Sequence, residues 1–200
     1  MVERRPELTP KQLGKREQII CAARIVLLRD GLSGVTSRAV ARQSGLTNGL
    51  IHYYFDTLDE IVDAVMEGEL QQIIDRIREA AAQNTDPIER FWAVTEAHLD
   101  GFAHDPTQAL IWMDYWAHAM HSGQTHPIER IDDLLVELLT GLLEEAGLAD
   151  AADRAQAICS YVTGAGVRSG TRRLDPVQIR RQIAVISGYP PDTKTAKEER

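Results

Sequence analysis

Asn48, Gly49, His52 and Tyr53 share one side of the segment Thr47–Phe55, while Leu50, Ile51, Tyr54 and Phe55 form an apolar stripe along the other. A solvated helix face would carry a lattice of lysine and glutamate. Small, polar and flat side chains instead suit a helix that lies in a DNA major groove. The base-edge candidates are Arg38, Asn48, His52 and Tyr54, with Gly49 admitting a close backbone approach. For Tyr54, packing inward on the first helix is the alternative. Phosphate candidates are Lys15, Arg16, Thr36, Thr47 and Tyr53, with the free backbone amides where two short helices begin, Ser37 among them.

A second group is aromatic. Trp92, His98 and Phe102 fall with Phe91 on one expected helix, and Trp112, Tyr115 and Trp116 recur at helical spacing on the next, with Tyr161 as an expected neighbour. Stripes of this kind are more often core than site. Indole and phenol walls close to Asp114 also suit an organic cation through cation–π attraction. An apolar or aromatic small molecule fits almost as well. Asp114, His118 and His121 have a spacing that metal ligands can use, but histidines near helix ends give such coincidences, and no metal is expected. No GxSxG, HExxH, phosphate-loop or dinucleotide fingerprint is present, so no reaction and no cofactor is expected.

The elements that must position these groups are all helical. Helix 1 is expected over Lys15–Arg29, with Ile19, Ile20, Ala23, Val26 and Leu27 as its stripe. Helix 2 follows over Ser37–Gln43 with Thr36 as cap, Gly45 supplies the positive φ of a tight turn, and helix 3 covers Thr47–Phe55. Thr57 to Glu60 is a capping box that opens helix 4, Leu58–Ala82. Asp86-Pro87, Asp105-Pro106 and Asp175-Pro176 each pair a capping carboxylate with a proline in the first turn. These place helix 5 at Pro87–His104, helix 6 at Pro106–His121 and helix 9 at Pro176–Ser187. Helix 7 spans Pro127–Ala146 on its leucine-rich face, and helix 8 spans Asp150–Thr171. In helix 8 the interior glycines each cost about 1 kcal/mol, which a closely approaching backbone would justify; a break between Thr163 and Gly170 is the alternative. The reading is an all-α protein in two parts: an arm and helix-turn-helix domain over 1–57 and a helical domain over 58–187. A mobile arm over 1–14 and a disordered tail over 188–200 are expected at the ends.

A net charge of −8 would repel phosphate if it were spread evenly. It is not. Residues 1–58 carry nine Lys/Arg against five Asp/Glu, a balance of +4, and the remainder carries 13 against 25, or −12. One end of the chain is therefore suited to DNA. Cys21 and Cys159 sit in apolar helical settings without metal or redox spacing, as expected of free thiols in a reducing compartment. No apolar run is long enough for a membrane span and the N-terminus lacks a signal-peptide core, so a cytoplasmic protein without a membrane partner is expected.

Over Lys15–Val65 the order IICAA, VTSRAVARQSGL, TNGLIHYYF, DTLDEI resembles the TetR-type one-component regulators. The later WMDYWAHAM and GAGVRSG stretches look most like the subgroup of choline-responsive repressors of betaine synthesis. The resemblance implies a homodimeric repressor that leaves a palindromic double-stranded operator when a small-molecule inducer binds among helices 4 to 8. It also implies that helices 8 and 9 pair with those of a second copy, on faces carrying Cys159, Thr163, Gly166 and Gly170 and Ile179, Ile183 and Ile186. The family often has lysine where Asn48 and Leu58 stand here; with both absent, Asn48 becomes a candidate reader of adenine. A rival reading from another class remains: a helical small-molecule-binding or enzymatic protein whose helix-turn-helix has no DNA function.

Overall fold

The computed structural model describes residues 8–103, 106–169, 171 and 175–189, with the side chains of 101–108 left aside. Every regular element among the described residues is helical: α1 Pro10–Asp30, α2 Ser37–Ser44, α3 Asn48–Tyr54, α4 Leu58–Ala82, α5 Pro87–Ala103, α6 Pro106–Ser122, α7 His126–Glu145, α8 Ala151–Ser169 and α9 Pro176–Ser187. A single 3-10 turn, Leu32–Gly34, joins α1 to α2. Helix α1 begins earlier than the periodicity suggests, because Thr9 and Gln12 form a reciprocal capping box with Pro10 in the first turn. Residues 10–14, expected in a mobile arm, are therefore helical. Helix α8 runs unbroken through Gly164 and Gly166.

The chain divides into two compact units, 1–69 and 70–200. The division falls inside α4, not at its start as the sequence reading placed it. The reason is packing, since Ile61, Val62, Val65 and Met66 of the first turns of α4 are buried in the first unit.

In the first unit, α1 packs on α2 and α2 on α3. Ile19, Val26, Leu27, Val40, Ile51 and Phe55 are at most 2% exposed and form its core. Gly45 closes α2 at φ 69°, a left-handed conformation that a side chain would resist, and its amide donates to the Ala41 carbonyl. Thr36 accepts from the Ala39 amide at 3.1 Å and Thr47 from the Leu50 amide at 3.3 Å, so both short helices start on a hydroxyl cap. The Glu60 amide donates to Thr57 Oγ1 at 3.2 Å, and the Asp56 amide donates to the Glu60 carboxylate at 2.9 Å. Arg24 of α1 forms an ion pair with Glu69 of α4.

In the second unit, α5, α7, α8 and α9 surround one apolar core that includes Phe91, Trp92, Leu139, Leu143, Ile158, Val162 and Ile183. Asp86 accepts from the amides of Ile88 and Glu89 at 2.9 and 3.0 Å, and Asp175 from that of Val177 at 3.0 Å. The aspartate-proline starts of α5 and α9 thus cap as their sequences imply; Asp105 and His104 lie outside the described residues. Tyr189, assigned to the tail by sequence, instead packs on Phe91 and donates from its hydroxyl to the Ala146 carbonyl at 2.9 Å.

Candidate reading face and effector cavity

On α3 and the turn before it, Thr47, Asn48, Gly49, His52 and Tyr53 are exposed, as are Thr36 and Arg38 at the start of α2; Ser37 is partly covered. The apolar back of α3 is what holds this face outward: Ile51 is 1% exposed and Phe55 2%. Tyr54 belongs with them. At 7% exposure its ring is part of the core, which takes it off the base-edge set; its place one turn along from Leu50 puts it beneath the helix. Tyr53 stands 64% exposed, held edge-on against Tyr54 with centroids 5.0 Å apart.

The supporting contacts come from α1. Gln12 donates from Nε2 to the Tyr53 hydroxyl at 3.1 Å, and Gln18 from Nε2 to the Ser44 carbonyl at 2.8 Å. The Arg16 guanidinium lies 4.8 Å over the Phe55 ring, and Lys15 Nζ donates to Gln18 Oε1 at 2.9 Å. Arg16 is thereby held against the end of α3, and Lys15 is tied along α1 through Gln18. Gln12 and Gln18 carried no sequence signal beyond helical phase, since a glutamine on a solvated face is ordinary. Added bulk at Gly49 would meet nothing within 4 Å, so the protomer itself does not require a glycine there.

In the second unit a cavity of about 90 Å³ is walled by Trp112, Met113 and Trp116 of α6, Leu70 and Ile73 of α4, and Ile128, Ile131 and Leu135 of α7. Its polar groups are His98, Asp132 and Thr163. Of the aromatic group named by sequence, His98, Trp112 and Trp116 line it and three do not. Trp92 sits across the core in a different cleft, Tyr115 is 1% exposed with its ring packed edge-on to Trp112, and Tyr161 bonds to Gln182 of α9. The Phe102 side chain lies outside the described residues.

Charge in the cavity also comes from an unexpected place. Asp114 and Asp132 are both exposed, but it is Asp132 of α7, not Asp114, that lines this cavity. The sequence carries a signal for it: Ile128, Ile131, Asp132 and Leu135 share one helical face, and a carboxylate there interrupts an apolar stripe. Burial, reinforced by neighbouring Asp133, raises the Asp132 carboxyl above its ordinary value. Burial pushes the His98 imidazole down to about 4, so it is neutral near pH 7 and leaves the cavity without a positive charge of its own. Among the described residues no three His, Cys, Asp or Glu side chains converge to hold a metal ion, and no helix is long and apolar enough to cross a membrane.

The expected dimer face is turned the other way. Cys159 and Gly166 of α8 and Ile179 and Ile183 of α9 are buried within their own unit, Ile186 packs on the same core, and Thr163 lines the cavity. Gly170 lies outside the described residues. Burial also pushes the Cys159 thiol up to about 12, so it stays protonated. The outward faces carry Ala157, Ser160 and Gly164 on α8 and Gln178, Arg181 and Val185 on α9, with Val185 82% exposed.

A helix-turn-helix with its reading face open, on a chain that also builds a separate aromatic cavity, defines the class of one-component transcriptional regulators. Residues 19–65 match the bacterial regulatory proteins of the tetR family, and residues 87–189, just over half of the chain, match the BetI-type transcriptional repressor C-terminal domain. The chain belongs to the TetR family and carries a BetI-type C-terminal domain, which makes it a DNA-binding repressor of the ligand-responsive kind. It is similar to the HTH-type transcriptional regulator BetI of Paraburkholderia xenovorans, 25% identical over 196 residues that cover 96% of this chain and 91% of that one. To the BetI regulator of Stenotrophomonas maltophilia it is 27% identical over 124 residues, 60% of this chain and 61% of that one. Among solved structures, a transcriptional regulator from Rhodococcus sp. Rha1 shares the fold with a TM-score of 0.74 at 20% identity, covering 86% of this chain and 94% of that one.

Proposed function

We propose that this chain is a cytoplasmic, homodimeric repressor released from a palindromic operator by a compact organic cation. The cavity carries the ligand reading: two indoles and one partly desolvated carboxylate, with its only histidine neutral. A quaternary ammonium group placed there gains from the Trp112 and Trp116 faces and from Asp132 together. Helix α4 supplies the link to DNA. It places Leu70 and Ile73 in the cavity wall and, one residue earlier, holds α1 through the Glu69–Arg24 pair. A ligand that fits one position of α4 better than another shifts the population of operator-competent molecules by that difference in affinity alone.

The experiment is operator release measured by fluorescence anisotropy, on a duplex selected by the full chain from random sequence. Choline is the probe, and its neutral isostere 3,3-dimethyl-1-butanol is the control. Release by choline at a concentration at least about tenfold lower than the isostere supports the cation. Equal potency overturns it in favour of a merely apolar ligand. Failure of the chain to select any duplex favours the rival reading, a helical binding protein without DNA function.

Two further outcomes are expected. Asn48→Ala is expected to cost about 1–3 kcal/mol on the selected operator and to relax preference at one base pair, whereas Lys15→Ala weakens all sequences alike and flattens the salt dependence. Competition binding across single-base variants checks this, and an unchanged base preference in Asn48→Ala would mean α3 docks in another orientation. Dimerisation is assigned to the outward faces of α8 and α9 that carry Gly164 and Val185. Gly164→Arg adds bulk where a Cβ meets nothing within 4 Å in the protomer, so its fold is spared. Sedimentation is expected to show a shift toward monomer by about 10-fold or more in dissociation constant, and an unmoved dimer would place the interface elsewhere.

A further inference from the structure

We propose that the cleft between α5 and α9 is a second binding site, for a neutral small molecule with one hydrogen-bond-accepting oxygen on an apolar body. The cleft holds about 350 Å³ and shares no lining residue with the aromatic cavity. Trp92 lines it at 3% exposure, and its buried indole Nε1 meets no hydrogen-bond acceptor. A buried indole N–H almost always finds one, so this donor calls for an acceptor that a ligand can bring.

The surrounding groups narrow what that acceptor is. Thr95 Oγ1 already donates to the Phe91 carbonyl at 2.8 Å, and the Arg180 guanidinium lies 4.6 Å over the Trp92 ring while paired with Glu96. Glu96 and Asp100 together bring two negative charges to the lining against the one positive charge of Arg180. A carboxylate entering would face net repulsion, and an ammonium brings no acceptor for the indole. A ketone, amide or ether oxygen satisfies the donor without either cost. Leu99, Val177, Ile179 and Ile183 supply the apolar contact for the remainder of the molecule.

The test uses the full chain labelled with 15N and follows the three indole N–H resonances, assigned through Trp92→Phe, Trp112→Phe and Trp116→Phe. If Trp92→Phe does not fold, its peak follows by elimination from the other two. Three probes of equal length are titrated: 2-heptanone, heptanoate and heptylammonium. The ketone is expected to move the Trp92 resonance downfield and saturably, binding at least about fivefold tighter than either charged probe, as one neutral hydrogen bond allows. Glu96→Gln removes one negative charge from the rim and is expected to raise heptanoate affinity relative to the ketone. Because Trp112 and Trp116 report on the aromatic cavity, binding confined to that cavity is seen directly and overturns the proposal. So does a Trp92 resonance that no probe moves, one that heptylammonium moves as far, or a long-lived water on the indole that the ketone does not displace.

Discussion

Asp132→Asn is expected to raise the choline concentration needed for operator release by up to about fivefold, while leaving operator affinity without ligand unchanged. The size follows from removing one partner of a solvent-exposed charge pair, which is worth up to about 1 kcal/mol. Unliganded, the substitution is expected to be neutral or slightly stabilising. Burial and Asp133 both hold the Asp132 carboxyl above its ordinary value, so the protein carries that charge at some cost. Trp116→Ala makes a useful contrast. Its side chain is 44% exposed, so truncation removes a wall of the cavity with little loss of core packing. A cation–π contribution of about 0.5–2 kcal/mol predicts a weaker choline response by about threefold to thirtyfold and a nearly unchanged melt. Release assays beside thermal melts measure both variants. An Asp132→Asn protein with wild-type choline sensitivity and wild-type stability would sink the cation reading.

Much of this architecture was legible because its signals are local. Asp86 and Asp175 before prolines mark helix starts by hydrogen bonds made within three residues, and Gly45 marks a turn by a backbone angle. The outward face of α3 was legible for a related reason, since Ile51 and Phe55 fix its rotation and leave Asn48, His52 and Tyr53 outside. What failed was the choice of face where both faces look alike. Helix α8 carries small residues on two sides, so Cys159, Thr163 and Gly166 read as a contact stripe although they turn inward, and Ala157, Ser160 and Gly164 lie outside. In α9 the isoleucines suggested an interface, yet the protomer itself needs them to close its core, which also includes Val162. The cavity was harder still. Trp112 and Trp116 face it while Tyr115 beside them is core, and the charge comes from α7. Which aromatic edge faces a void depends on how five helices meet, and no spacing within one helix contains that.

His98 gives the second large effect, a loss of stability in acid. Its imidazole is 8% exposed and burial lowers it to about 4 from an ordinary 6.5. The unfolded chain takes up this proton as pH falls through about 6.5, and the native protein refuses it until about 4. Stability at this group is therefore full above the unfolded value and declines on acidification across that window, by about 3 kcal/mol in all. Asp132, on the same cavity, works in the opposite sense. Its raised value means that the native state binds a proton more readily than the unfolded chain does, which returns part of the loss at low pH. Comparing variants separates the two. His98→Leu removes the imidazole and keeps Asp132, so its stability between pH 7 and pH 4 is expected to fall by about 3 kcal/mol less than that of the wild type. Any hydrogen bond lost with the imidazole offsets the two pH curves by a constant and leaves their difference in slope intact. Urea melts at half-unit pH intervals measure that slope. Parallel curves for the two proteins would mean that His98 takes up its proton in the native cavity, and the neutral, cation-accepting interior would then no longer stand.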